Sequence, residues 1–139
     1  MSYIVGSKVE RTIYDDIPSE KNDCTVRAYS KAAGITYLQA HEELEAAGRK
    51  FGKGFRVKSF YEARNFLWYP RPHRRVDNFI LNIAMRGNWI IWIRGHVFAV
   101  CDGVIHDTHP RLNLKRHVLG AWQVSLVRST SEVEKELSE

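Results

Sequence analysis

The chain has 139 residues, 44% apolar, 12% aromatic and 27% charged. That composition fits one compact globular domain and excludes a disordered or collagenous chain, and the length excludes an enzyme with a separate cofactor-binding half. The formal charge is +5, but the last ten residues hold four glutamates and one lysine, so a folded body at 1–128 carries the positive charge and 129–139 reads as a polar, acidic tail.

The first predicted element is a helix from Cys24 to Ala33, with Val26, Tyr29 and Ala33 at helical spacing and Gly34 as its stop. Asn22 and Asp23 precede it, and both carry side-chain oxygens suited to the free amides of a first turn. A second helix starts at Thr36, where Thr36-Tyr37-Leu38-Gln39 reads as a capping box, and stops at Gly48. A third runs from Ser59, opened by Ser59-Phe60-Tyr61-Glu62, to about Trp68 before Pro70. The spacing of Phe79, Ile80, Ile83 and Ala84 predicts a fourth over Val76 to Met85. The period then changes to that of strands: Trp89 to Ile93, a turn at Arg94-Gly95, His96 to Val100, a turn at Asp102-Gly103, Val104 to Thr108, and finally Ala121 to Val127. The expected class is α+β, a helical half packed on an antiparallel meander with a groove between them.

Two cysteines make no disulfide framework, the N-terminus lacks the apolar core of a signal peptide, and the run Trp89 to Ile93 is far short of the roughly 20 residues of a spanning helix. A cytoplasmic setting without membrane association is the expectation. Cations gather in Arg49 to Lys58, Arg71 to Arg75 and Arg111 to His117. No nucleic-acid signature accompanies them, so they read as solvated surface or as loops facing an acidic protein or peptide.

Cys24 is the candidate nucleophile, because unpaired amides and the positive end of a helix dipole favour a thiolate at a helix start. His96 opens a strand beside a turn and is the candidate base. With Asp102-Gly103 as the two central turn residues, paired positions sum to 205, so Phe98 faces Asp107 and Asp107 is the diagonal neighbour of His96 on one face. Cys101 and His106 take the opposite face, and Asp102 lies about 20 Å along the strand at roughly 3.3 Å per residue, as a turn former. His41, His73 and His117 read as surface residues. His96, Asp107 and His109 could together resemble a zinc triad, but no familiar metal-ligand spacing supports it, and neither metal nor cofactor is expected.

The segments Asn22-Asp23-Cys24-Thr25-Val26-Arg27-Ala28 and Gly95-His96-Val97-Phe98-Ala99-Val100, with a strand ending at Asp107, resemble the papain-like cysteine peptidase superfamily, most closely its small single-domain bacterial and bacteriophage-encoded members. The likeness runs from about Asp15 to Val127 in order and context rather than long identity. It implies a papain-like fold and a thiol hydrolase cleaving a peptide or isopeptide bond, with Cys24 as nucleophile, His96 as base then acid, and Asp107 orienting the imidazole. Such enzymes usually supply an oxyanion-binding Gln six residues before the cysteine, where this chain has Pro18. Asn22 carries an amide that could serve instead, or it caps the helix. That departure leaves a second expectation, a papain-fold protein that binds a partner, such as a host protein, without cleaving it.

Overall fold

The structure, a computed structural model, describes residues 22–50, 52–107 and 112–124 together with the backbone of three short strands near the N-terminus. In chain order the elements are β1 (Ile4–Val5), β2 (Lys8–Val9), β3 (Arg11–Thr12), α1 (Cys24–Ala33), α2 (Tyr37–Ala46), α3 (Lys58–Ala63), β4 (Leu67–Pro70), α4 (Val76–Asn82), β5 (Asn88–Ile93), β6 (His96–Cys101), β7 (Val104–His106) and β8 (Gly120–Val124). Pro18, His109, positions 125–127 of the expected last strand and the acidic tail lie outside the described residues.

The first two helices begin and end where their punctuation puts them. Gly34 closes α1 in the left-handed region at φ 71°. The Thr36 hydroxyl accepts from the Gln39 amide at 3.0 Å, the donor half of the expected capping box. The third helix differs. It starts at Lys58, without a side-chain cap from Ser59, and ends by Arg64 because Asn65 takes φ 61°, a left-handed conformation that asparagine tolerates better than most residues. Leu67 to Pro70 then runs as a strand rather than as helix. It forms a sheet edge, where Pro70 is tolerated because its missing N–H breaks no ladder. The fourth helix is also shorter than its apolar spacing suggests, ending at Asn82.

The main sheet has the order β3-β7-β6-β5-β8-β4. Its strands β4 to β8 are mutually antiparallel, and β3 adds to β7 in parallel. The β6–β7 register pairs Ala99 with His106 and Cys101 with Val104, the sum of 205 that the Asp102-Gly103 turn requires. Asp102 and Gly103 both take positive φ, 48° and 83°, as a type I′ turn demands.

Helices cover both faces of this sheet, not one. On one side Val26, Tyr29 and Ala32 of α1, with Phe60 and Tyr61 of α3, pack on Ile90, Val97, Ala99 and Trp122. On the other, Val76, Phe79 and Ile80 of α4 pack on Ile91, Phe98, Val100 and Ala121. Burial on both faces explains why the strands read as nearly continuous apolar runs rather than alternating ones.

Candidate active site

α1 lies along β6, and the two run in the same direction. At one end the Cys24 sulfur meets the His96 ring and the Val97 amide. At the other, the Cys101 thiol approaches the Lys31 carbonyl at 3.8 Å. The helix packs on the face that carries Val97 and Ala99, whereas His96 shares the parity of Phe98, and their rings stack with centroids 6.0 Å apart. The imidazole therefore reaches the sulfur around the end of the strand. Gly95, at φ 76°, makes the turn that leaves this end open.

Asp107 follows β7 directly, and its carboxylate oxygen Oδ1 sits 2.8 Å from His96 Nε2. The carboxylate is almost fully buried, while about a fifth of the His96 side chain remains exposed. With Nε2 turned to Asp107, Nδ1 is the nitrogen left for the Cys24 sulfur. The three side chains thus form a relay of carboxylate, imidazole and thiol.

The electrostatics follow from that contact order. Burial alone raises a thiol's pKa, but the His96 hydrogen bond and the Val97 amide outweigh it and hold Cys24 below its ordinary value. Burial pulls the His96 imidazole down, yet the hydrogen bond to Asp107, the bond to Cys24 and the Asp107 charge push it up to about 9. Both shifts act in the direction of a thiolate paired with an imidazolium.

Cys101 contrasts with Cys24. Burial drives its thiol up to about 11, against the opposing effect of Lys31, which makes it a poor nucleophile. His106 shares the parity of Ala99 and is pulled down to about 4 by burial and by Lys31. Neither joins the site. His73 and His117 are exposed, His41 stands beside Tyr37 on α2, and Asp102 ties its turn to Gly87. No group of three metal-ligating side chains occurs among the described residues, and no described helix is long and apolar enough to cross a membrane.

The residues before Cys24 behave differently from the expectation that they cap α1. No side-chain oxygen caps the helix. The Asp23 carboxylate is drawn instead to Arg27 Nε at 2.8 Å and to the Tyr37 hydroxyl at 3.0 Å, a buried cluster that fixes the helix start against α2. Asn22 takes φ 60° and its side-chain amide donates to the Gly52 carbonyl at 3.0 Å, tying α1 to the loop before α3. That contact uses one of the two amide hydrogens of Asn22. The backbone amide of Cys24, in the first turn of α1, has no earlier carbonyl of the helix to bond.

Sequence spacing did not single out the Val97 amide or a cavity bordered by Val97 and by Thr25, the residue after Cys24. The cavity holds about 480 Å3 and is bordered by Thr25, Val97, Trp68, Trp92, Trp122 and the segment Phe55 to Lys58. The basic loops divide between two roles. Phe55 to Lys58 forms part of this wall, whereas Arg71 and Arg74 join backbone hydrogen bonds with Leu119 and Val118. Arg49 is buried, with Nη2 donating to the Asn22 carbonyl at 3.2 Å. The legible signal for the cavity was three tryptophans and one glycine on a single sheet face, visible only once the register was known. Compared with protein-family models, curated proteins and solved structures, the chain matches none.

Proposed function

We propose that the protein is a papain-like thiol hydrolase acting on a peptide or isopeptide bond of a protein or peptide substrate in the cytoplasm, of the small bacterial or bacteriophage type. The observation that carries this reading is the relay itself: a half-buried thiol at a helix start, an imidazole in contact with it, and a buried carboxylate 2.8 Å from that ring.

The Cys24 thiolate attacks the carbonyl carbon, forming the C–S bond and an oxyanion to which the Cys24 amide, free of any helix carbonyl, donates. As the intermediate collapses, the C–N bond breaks and His96 gives its proton to the departing amine. Neutral His96 then takes a proton from water, hydroxide adds to the thioester, and the C–S bond breaks to return thiolate and imidazolium. Asp107 keeps the ring oriented and its positive form stable throughout. An amine in place of water in the second half would make the same residues a transferase.

Iodoacetamide labelling followed by peptide mass spectrometry tests the reading. Cys24 is expected to react at least about tenfold faster than Cys101 at pH 7, and His96→Ala to remove most of that advantage. Equal, slow labelling of both cysteines in the native protein would refute the hydrolase and leave a protein that uses the same groove only to bind.

A further inference from the structure

Thr25 adjoins Cys24 in sequence, the Val97 amide meets its sulfur, and both residues border the 480 Å3 cavity. That volume lies within the range of small-ligand sites. The strand register explains why there is an opening here. Val97, Trp92, Gly120 and Pro70 form one row across β6, β5, β8 and β4. Gly120 brings no side chain into that row, and the Trp68 ring occupies the place its Cβ would need. Trp68 then leans on Trp122 with ring centroids 4.6 Å apart. Trp92 stands 38% exposed on the other side of the gap.

The wall has two chemistries. Its body is aromatic, with three of the chain's four tryptophans and Phe55, and among the described residues its cations are Arg56 and Lys58, both exposed, and no acidic side chain borders it.

We propose that this cavity is a substrate subsite selecting acidic peptides, with an aromatic side chain next to the attacked carbonyl and a carboxylate on the neighbouring residue. The ring seats against Trp92 and Trp122, and the carboxylate pairs with Arg56 and Lys58. The assignment of this ligand as a substrate rests on the thiol hydrolase reading.

The test uses the full chain and short peptide vinyl sulfones. One has Phe beside the electrophile and Glu next to it, a second replaces Phe with Ala, and a third replaces Glu with Lys. Labelling of Cys24 is followed by mass spectrometry. Binding of the matching unreactive peptides is followed by tryptophan fluorescence. The Phe-Glu probe is expected to react at least about tenfold faster than Ala-Glu and severalfold faster than Phe-Lys. In Trp92→Ala the Phe-over-Ala ratio should fall towards one. In Arg56→Glu with Lys58→Glu the charge preference should reverse. Equal rates for the Phe and Ala probes, or an undiminished ratio in Trp92→Ala, would overturn the subsite. Rapid iodoacetamide labelling of Cys24 alongside indifferent peptides would sink the subsite and leave the hydrolase standing. Slow iodoacetamide labelling alongside selective quenching by the Phe-Glu peptide would keep the acidic-aromatic ligand and sink the hydrolase.

Discussion

Replacing Asp107 with Asn isolates the charge behind the imidazole, because Asn keeps the size and a hydrogen-bonding oxygen but not the negative charge. At 2.8 Å and an effective dielectric constant of about 20, the bare attraction between carboxylate and imidazolium is about 6 kcal/mol. Burial of the ring returns part of this. The net effect of all causes holds His96 at about 9 against an ordinary 6.5, about 3 kcal/mol in favour of the protonated ring. Without the charge, the His96 titration is expected to fall by at least about 1.5 pH units, about 2 kcal/mol. The direct assay is an NMR titration of the imidazole Cε1–H between pH 4 and 11, with His96 assigned by the signal lost in His96→Ala. Linkage sets the sign for stability. A group raised in the folded state stabilises it fully below the unfolded value of 6.5 and loses that contribution as pH rises through about 9. Asp107→Asn should therefore cost most stability near pH 6 and least above pH 9, as thermal melts would show. In a substrate assay, the alkaline limb of the native pH profile, set by loss of the His96 proton, should move down with the NMR titration. A ring that still titrates near 9 in the variant would refute the assignment of Asp107 as its stabilising partner.

Two further outcomes concern the frame around the relay. Asp23→Ala removes the carboxylate held by buried Arg27 and by Tyr37, and chemical denaturation should show a loss of about 3 kcal/mol, as for other broken buried ion pairs; a loss under about 0.5 kcal/mol would mean that water already screens the pair. Gly120→Ala sets a Cβ into the Trp68 ring. It should lower stability by about 1–3 kcal/mol through overpacking and alter tryptophan emission, and an unchanged melting temperature and spectrum would show that the two residues are not in contact.

The parts of this fold legible in the sequence were those set by local chemistry. Asp102-Gly103 fixed a two-residue turn, the turn fixed the register, and the register placed Asp107 beside His96. The same parity set Cys101 and His106 apart from that pair. The missed parts were decided by tertiary contacts. The spacing of Phe60 and Tyr61 suited a helix continuing to Trp68, but the left-handed Asn65 and the open edge beside β8 made Leu67 to Pro70 a strand. Asp23 had the right chemistry for a cap, and Arg27 and Tyr37 took its carboxylate first. The side of the sheet that α1 would cover could not be read from a strand that is apolar on both faces. The groove between the halves and its wall at Phe55 to Lys58 and Trp68 were expected, but its aromatic floor was not, since Trp68, Trp92 and Trp122 come from three separate strands.

The sulfur and the ring approach from opposite sides of one sheet, so their separation depends on how thin the layer between them is. Ala28, Ala32 and Ala33 of α1 and Ala99 of β6 belong to one buried cluster, and such small side chains let a helix backbone settle close to a strand. A bulkier residue at Ala99, on the sheet face that α1 covers, would lift the helix and carry the thiol off the imidazole while leaving Cys24, His96 and Asp107 themselves intact. The contact between sulfur and ring is thus set in part by how closely a helix rests on a strand.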